Sequence, residues 1–341
     1  MHNPIMNVAF IALSNHIYKT HSSDFFIDLL RELYGQVYVM PHERAWLELP
    51  KRHWDLIVVW QRRYTPEELE SFGADRVVLV PMYDDCPLDE NYWKDYRAFK
   101  VFCFSSTLER ALRFQGIEAW GARYYPETPD SRIEWDGLKG FFWPRIESIG
   151  WPLVARLTEG TRFERMHVHG APEGSIVAPG VEVSSWFANQ AEYRAELARA
   201  NVFFAPRPSE GIGLSFLEAL ALGQCVAAPD GPTMNEYITD GVNGLLYDPR
   251  SPRPLDFSKA KDLGFASRES CIEGRKRWLA AKDDIRRFLE EPARGGYSPK
   301  AHPIIATRGR LVARLRYIPG LFAFYRRLRD FLRRSSGTLR R

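Results

Sequence analysis

The sequence predicts an α/β protein made of two doubly wound domains, each a parallel sheet with helices on both faces. Short apolar runs rich in Val, Ile and Phe alternate along the chain with segments of helical apolar spacing. This alternation stops once, over residues 123–139, and then starts again. Strand–helix alternation is typical of a parallel sheet covered by helices. At 341 residues, 45% of them hydrophobic and 26% charged, the chain is long enough for two globular domains.

The first half of the chain contains short predicted strands separated by helical or loop segments. Predicted helices cover residues 23–33 and 107–115, and Gly116 ends the second one. The strands are apolar runs with many β-branched side chains, at residues 8–13, 36–40, 56–60, 76–80 and 100–104. Together these elements predict a first domain over residues 1–134.

The second half repeats the pattern after an interdomain linker. Residues 123–139 contain Pro126, Pro129 and several charges, a composition typical of a linker. The elements that follow are helices at residues 149–157, 192–200 and 214–222 and strands at residues 140–143, 165–169, 181–186, 202–205 and 225–228. They predict a second domain over residues 135–270. A closing helical segment over residues 271–300, with a helix at 275–289, and a tail over residues 301–341 complete the chain.

A loop with two glycines joins a predicted strand to a predicted helix between residues 206 and 214. The free N–H groups and the dipole at a helix N-terminus attract an anion, and Gly211 and Gly213 allow a phosphate to approach closely. Glu210 precedes this helix and Glu218 lies two turns inside it. Carboxylates at such a crevice suit hydrogen bonds from ribose or sugar hydroxyls. An isolated pair of glutamates at this spacing is also common on solvated surfaces, so the flanking residues decide between the two interpretations.

About fifty residues around this loop carry a recognisable pattern. Seven residues separate Glu210 from Glu218, and the run Asn235-Glu236-Tyr237-Ile238-Thr239-Asp240-Gly241-Val242-Asn243-Gly244 follows. In order and spacing these residues resemble the retaining glycosyltransferases of family 4, the glycosyl transferases group 1. The resemblance implies the GT-B fold, in which two Rossmann-like doubly wound domains face each other across a cleft.

The resemblance also implies roles for individual residues on the donor side. Glu210 would lie near the transferred sugar and its leaving phosphate, Glu218 would bind the ribose hydroxyls, and His169 would lie beside the nucleotide. The β-phosphate would be held by the backbone amides of Gly211, Ile212, Gly213 and Leu214. Such enzymes need no metal or other cofactor, because basic side chains and helix N-termini stabilise the leaving diphosphate.

Two departures from the family pattern concern the basic residues and the acceptor side. Arg145 fits the first member of the usual basic pair, but Ile149 stands where a Lys is expected. Half of the pair is therefore either missing or supplied from elsewhere, with Arg207 as the candidate. The first loop lacks the glycine pair that many relatives carry. The acceptor-side candidates are therefore polar residues near predicted strand ends, namely His16, Asp84 and Asp85.

The function implied by the resemblance is transfer of a sugar from a nucleotide-sugar donor to a glycan or lipid-linked glycan, with retention of anomeric configuration. A role in bacterial surface polysaccharide or lipopolysaccharide synthesis would fit. Two alternatives stay open: a non-catalytic nucleotide-sugar-binding protein, suggested by Ile149 and the missing glycine pair, and a nucleotide-sugar epimerase of the same fold.

The tail has a strong positive charge. Residues 301–341 contain eleven Arg and one acidic residue, so a net charge of +4 for the whole chain leaves about −6 for the rest. Apolar residues recur there every three or four positions, as at Leu311, Leu315 and Phe322. This pattern predicts either an amphipathic helix on an anionic membrane surface or a helix packed on the body with solvated arginines. Nucleic acid is not an expected partner, since no binding motif accompanies the charge.

The location predicted from the sequence is cytoplasmic, with the inner membrane face as the place of any membrane contact. The four cysteines stand singly, as in reduced cytosolic proteins. The N-terminus has no basic segment or cleavage site typical of a signal peptide, and no run approaches the ~20 apolar residues of a membrane span.

Overall fold

A computed structural model describes residues 6–171, 179–185, 187 and 189–316. The predicted tail helix is described only in part. Leu315 belongs to the described residues, whereas Phe322 and all other residues from 317 to 341 lie outside them. Trp186, at the end of a predicted strand, also lies outside them. No helix of the described residues is both long enough and apolar enough to cross a bilayer.

The first domain contains a six-stranded parallel sheet in the order β2-β1-β3-β4-β5-β6. Its strands are β1 Val8–Ala12, β2 Val37–Pro41, β3 Leu56–Trp60, β4 Val77–Val80, β5 Lys100–Cys103 and β6 Glu118–Gly121. The central strand β1 is buried along its whole length, with Phe10 opposite Val39 on one side and Val58 on the other. Continuous apolar runs of this kind form strands because helices cover both faces of a parallel sheet.

Helices and short helical turns connect these strands. The helices are α1 Ser14–Tyr18, α2 Asp24–Tyr34, α3 Ala45–Glu48, α4 Pro66–Glu70, α5 Glu90–Trp93 and α6 Ser106–Phe114. The 3₁₀ turns are Leu49–Lys51, Tyr83–Asp85 and Lys94–Tyr96. Helix α4 begins with a capping box, in which Thr65 and Glu68 satisfy each other's backbone amides.

The second domain repeats the architecture with a parallel sheet in the order β12-β11-β10-β7-β8-β9. Its strands are β7 Lys139–Phe142, β8 Arg165–His169, β9 Val181–Ser184, β10 Val202–Phe204, β11 Cys225–Pro229 and β12 Leu245–Tyr247. Its helices are α7 Trp151–Leu157, α8 Gln190–Ala198, α9 Leu214–Leu222, α10 Met234–Tyr237 and α11 Ala260–Ala280. The strand order reverses between β7 and β10, and ligands of such sheets bind at the carboxyl ends of the strands at that point.

The predicted elements agree with the structure to within one or two residues for most strands and helices. Residues 122–138 form neither helix nor strand, as a linker should. The sequence missed β6 and β12, which are only four and three residues long.

The predicted helix at 275–289 is wrong in extent. The structure has two helices there, α11 and α12 Lys282–Glu290, which meet at Ala281. Helix α11 crosses the predicted boundary at residue 270 and packs on α9 and β11 of the second domain. The chain turns at Ala281 because α12 returns to the first domain, where Phe288 packs against Phe102 and Trp120.

A last helix, α13 Pro303–Leu315, packs on α3 of the first domain. Residues 303–315 thus form a helix packed on the body, as in one of the two interpretations of the tail. Contact with a membrane surface stays a prediction. The domains also share a core, in which Phe25 stacks on Tyr124 at 3.8 Å and both rings meet Trp278 of α11.

Candidate active site

The candidate site lies where the strand order of the second sheet reverses. Arg145 follows β7, and the loop of residues 205–213 follows β10, the strand next to it. The turn after β4 of the first domain, which carries Asp84, lies against this loop. Two arginines and two carboxylates from both domains therefore meet at one place in the cleft.

Arg207 makes the direct charge contact between the domains. Its Nη1 lies 3.2 Å from Oδ2 of Asp84, and both side chains are partly buried. Gly211 lies so close to the same turn that a Cβ there would be 2.6 Å from Met82 Cβ and 2.9 Å from Asp84 Oδ1. A side chain at position 211 would push the two domains apart, which explains the glycine at this position in physical terms.

The second glycine of the loop turns the chain into helix α9. Gly213 has φ +75°, in the left-handed region, and a side chain on it would overlap the Phe216 ring. Among the described residues, no protein acceptor pairs with the backbone amides of Gly211, Ile212, Gly213 and Leu214. These N–H groups at the start of α9 are thus available to an anion, as the sequence predicted.

Glu210 is a partly buried carboxylate next to this helix start. Burial raises its pKa to about 7, and the Asp84 carboxylate acts in the same direction. The Arg207 and Arg145 guanidinium groups act in the opposite direction and only partly offset the burial. Glu210 therefore exchanges a proton near neutral pH.

Arg145 lies against an aromatic ring, and no described carboxylate forms an ion pair with it. Its Cζ lies 4.3 Å from the centroid of Trp143. Burial lowers its pKa, and the neighbouring Arg207 guanidinium lowers it further. Two cations this close favour an anionic ligand between them.

The position of the expected Lys belongs to the core. Ile149 is 1% exposed and packs with apolar residues under the second sheet. A charged side chain would be unpaired there. Arg207, from a different loop, lies near Arg145 instead.

His169 lies at the end of β8 in an aromatic surrounding. Its ring stacks on Phe187 at 4.1 Å and meets the Trp143 ring edge-on at 4.8 Å. Its Nδ1 lies 3.0 Å from the Ser184 hydroxyl, which also lies 2.9 Å from Nε2 of His167. Burial lowers the pKa of His169 to about 4, so this ring is neutral at pH 7.

Glu218 faces helix α8 from within α9. Its Oε1 lies 3.6 Å from Nη2 of Arg194, and burial raises its pKa. Tyr193 of α8 lies close enough to Glu218 and Arg145 for both charges to act on the pKa of its hydroxyl. That hydroxyl is buried without a hydrogen-bond partner among the described residues. A buried polar group of this kind is available to a ligand.

The acceptor-side candidates do not come together as a group. Asp84 faces Arg207, whereas Asp85 pairs with Arg63 of the first domain at 3.0 Å. His16, in α1, lies 2.6 Å from the Ser22 hydroxyl, and burial lowers its pKa.

Sequence reasoning did not single out the part played by Glu236. Its carboxylate crosses the domain interface and accepts hydrogen bonds from the Ser105 hydroxyl at 2.7 Å and from the amides of Ser106 and Thr107 at 2.7 and 3.0 Å. Arg123 also donates to the Glu236 carbonyl. Glu236 therefore caps helix α6 of the other domain. The position of Glu236 within the run 235–244 was the only hint that it has a role. Its partner Ser106 lies 130 residues away in the sequence, so the contact could not be predicted.

One group of described side chains has the geometry of a metal site, and it is not at this cleft. His53, Asp55 and Asp75 lie at the amino ends of β3 and β4, whereas Asp84 and Arg207 follow carboxyl ends of strands. His53 is 58% exposed, and its Nε2 pairs with Asp75 at 3.1 Å.

Comparison with known families places the similarity in the second domain. Residues 183–260 match the family Glycosyl transferases group 1. A 95-residue segment is 34% identical to α-maltose-1-phosphate synthase of Mycolicibacterium smegmatis, covering 24% of this chain and 24% of that protein. The matched part thus spans about a quarter of this curated relative.

Similarity to solved structures extends over most of the chain. Sucrose-phosphate synthase from Thermosynechococcus elongatus superposes with a TM-score of 0.62 at 14% identity, over 83% of this chain and 98% of that one. A glycosyltransferase from Rickettsia africae gives 0.61 at 10% identity, over 84% and 99%. HepE of Anabaena, solved with UDP and glucose, gives 0.58 at 12% identity, over 82% and 100%.

At these identities the likeness concerns the fold, and it confirms the predicted GT-B architecture of two Rossmann-like domains facing each other across a cleft. Within that fold, the match to the glycosyl transferases group 1 model lies in the second domain, over residues 183–260.

Proposed function

We propose that this protein is a retaining glycosyltransferase that moves a sugar from a nucleotide-sugar donor to a glycan or lipid-linked glycan. The observation that carries the proposal is the meeting of Arg145, Arg207 and Glu210 at the start of α9, opposite Asp84. This arrangement offers positive charge and free amides for a diphosphate, and a carboxylate for the sugar attached to it.

The donor diphosphate would bind between the two arginines and the amides of residues 211–214. As the C1–O bond to the diphosphate breaks, negative charge grows on the leaving group, and the two guanidinium groups stabilise it. This supports transfer without a divalent metal. Because HepE was solved with UDP and with UDP-glucose, UDP-glucose is the first donor to test.

The sugar carries growing positive charge at C1 until the new C1–O bond to the acceptor hydroxyl forms. The ionised Glu210 carboxylate, partly buried at the loop, would stabilise that charge. Glu218 and the unpaired Tyr193 hydroxyl would hold the nucleotide part, with the neutral His169 beside it.

The acceptor would approach from the first domain. A diphosphate that draws Arg207 toward itself would release Asp84, whose carboxylate would then accept a hydrogen bond from the acceptor hydroxyl. Asp84 would take that hydroxyl's proton as the new C1–O bond forms. His16 and Asp85 would contribute more remotely. We assign the acceptor to bacterial surface polysaccharide or lipopolysaccharide synthesis on the resemblance of the donor segment alone.

The experiment has two stages. A panel of nucleotide sugars is screened for thermal stabilisation, since a ligand at a hundred times its dissociation constant adds ~2.7 kcal/mol. The stabilising donor is then incubated with glycan acceptors, with and without a chelator, and the product is examined by NMR. We expect a new glycosidic bond with the anomeric configuration of the donor, formed equally well with the chelator.

Each alternative has its own result. An inverted anomer would exclude retention, and loss of activity with the chelator would exclude the metal-free mechanism. Binding without hydrolysis or transfer would favour the non-catalytic binder suggested by Ile149. A new nucleotide sugar formed without an acceptor would favour the epimerase.

A further inference from the structure

We propose that the outward face of helix α13 is a docking surface for an anionic lipid bilayer. This face consists of Ile304, Arg308, Leu311 and Arg314. The inference goes beyond the transfer reaction and depends on none of the donor-site residues.

The helix is apolar on two opposite sides. On its inward side, Ala313 is 3% exposed, Gly309 lies directly against the Trp46 ring, and Ile305 packs against the core of the first domain. Those residues account for the packing of α13 on the first domain. Two further large apolar residues face outward, where Ile304 is 85% exposed and Leu311 is 57% exposed. A helix that served only to cover the domain would have no need of large apolar residues on its outward side.

Helix α13 contains no acidic residue, so its arginines have no carboxylate one helical turn away. Arg44 and Arg113, on other helices of the first domain, each pair with such a glutamate. Within residues 6–171 and 179–316 as far as they are described, no carboxylate forms an ion pair with Arg308, Arg310 or Arg314. The face therefore combines exposed aliphatic side chains with uncompensated positive charge.

That combination fits a bilayer better than a protein partner. Aliphatic side chains on an interfacial helix insert at the level of the lipid headgroups, and arginines beside them reach the phosphates. The face is a protruding helix side without an aromatic residue, unlike the aromatic anchors and pockets that dominate protein interfaces. The sequence after Arg316 adds seven arginines and one aspartate, so the same sign of charge continues.

The end of the helix relates this surface to the cleft. Arg316 pairs with Glu43 at 3.5 Å, and Glu43 accepts a hydrogen bond from Ser14 at 2.8 Å. Ser14 begins α1, directly after the carboxyl end of β1. The basic helix thus ends at the edge of the first sheet that faces the cleft, so docking would bring the acceptor side to the lipid surface.

The test measures binding of the full chain to vesicles of phosphatidylglycerol and phosphatidylcholine, and to phosphatidylcholine alone. Donor and acceptor are absent, so the result is independent of catalysis. We expect binding only to the anionic vesicles, weakened by added salt within the range of Debye screening. In low salt, Arg308→Gln with Arg314→Gln should weaken binding roughly 30-fold, since each cation near such a surface contributes about fivefold.

A second variant removes the apolar part. Ile304→Ser with Leu311→Ser should weaken binding at every salt concentration, because burial of aliphatic carbon is not screened. The matched control is Phe114→Ser with Arg110→Gln on α6, where the removed side chains are of the same kinds and Phe114 is 94% exposed. The control should bind as the unmodified chain does, and circular dichroism should show all variants folded.

Three results would overturn the proposal. One is equal binding to neutral and anionic vesicles, or none to either, which would leave an acidic protein as the candidate partner. Another is loss of binding in the control as large as in the α13 variants. The third is unchanged binding by the α13 variants together with complete loss on removal of residues 317–341, which would place the lipid contact in the tail.

Discussion

The pKa of Glu210 is set by neighbours with opposite effects. Burial and the Asp84 carboxylate raise this pKa, whereas the Arg207 and Arg145 guanidinium groups lower it. If Glu210 stabilises positive charge on the transferring sugar, Glu210→Ala should lower kcat by about a hundredfold or more. The dissociation constant of the donor should change much less, because the arginines and the loop amides remain. Ser209→Ala on the same loop is the control. Steady-state kinetics and calorimetry measure the two quantities, and an unchanged kcat would remove Glu210 from the mechanism.

The pKa of Glu210 also predicts a pH dependence. Its value in the folded protein, about 7, is above the ordinary 4.5, so the bound proton stabilises the fold below pH 4.5. That stabilisation is lost as pH rises through 7, with an upper value of about 3 kcal/mol. Between pH 5 and pH 7.5, the melting temperature of the unmodified protein should fall relative to that of Glu210→Gln. The catalytic efficiency kcat/KM should rise over the same range, because the ionised Glu210 carboxylate is the form that stabilises the sugar. The same rise of kcat/KM with pH in Glu210→Gln would show that another group titrates.

At the scale of elements, helix α7 shows why the second cation comes from another loop. Ile149 immediately precedes α7 and is 1% exposed, so the Lys expected from the resemblance would be buried without a partner. Ile149→Lys should therefore lower the free energy of unfolding by several kcal/mol and should not tighten donor binding. Ile149→Leu keeps the volume and should cost less than about 1.5 kcal/mol. Urea unfolding and donor calorimetry test both, and tighter donor binding by the Lys variant would show that the site lacks a cation.

Helix α6 is capped by Ser105 of its own domain and also by Glu236 of the other domain. Glu236→Ala leaves the amides of Ser106 and Thr107 without their acceptor, which should lower the free energy of unfolding by about 1–3 kcal/mol. Glu109→Ala removes only a surface pair with Arg113 on the same helix and should cost less than about 1 kcal/mol. Equal losses in the two variants, measured by urea unfolding, would mean that the interdomain cap adds nothing to stability.

On the scale of the whole molecule, the chain crosses from the first domain to the second and then returns through α12 and α13. This path predicts different results for two truncations. A chain ending at Arg316 keeps α13 on Trp46 and should melt as the full chain does. A chain ending at Lys300 exposes Trp46 and should lose at least about 2 kcal/mol of stability. Thermal unfolding distinguishes them, and equal melting of both truncated chains would show that α13 does not support the domain.

The local pattern of residues was sufficient to predict most of the fold and the loop of residues 205–213 before α9. Buried parallel strands require continuous apolar runs, so the positions of β1 and β10 could be predicted from the sequence. The start of α9 could be predicted as well, because the glycine turn that precedes it contains Gly213. The same reasoning found Glu210, Glu218 and Arg145 as candidates. It missed β6 and β12, whose pairing with β5 and β11 supplies order that their own residues do not show.

What the sequence by itself determined was the succession of elements, the GT-B architecture and the loop that begins α9, because each depends on residues close together in the chain. Only the tertiary structure decided which distant side chains meet: Asp84 with Arg207, Glu236 with α6, and small residues of α13 with Trp46. It also decided the proton affinity of Glu210, since desolvation and neighbouring charges act through space. Contacts of this kind join segments more than a hundred residues apart, and no local spacing in a single sequence records them.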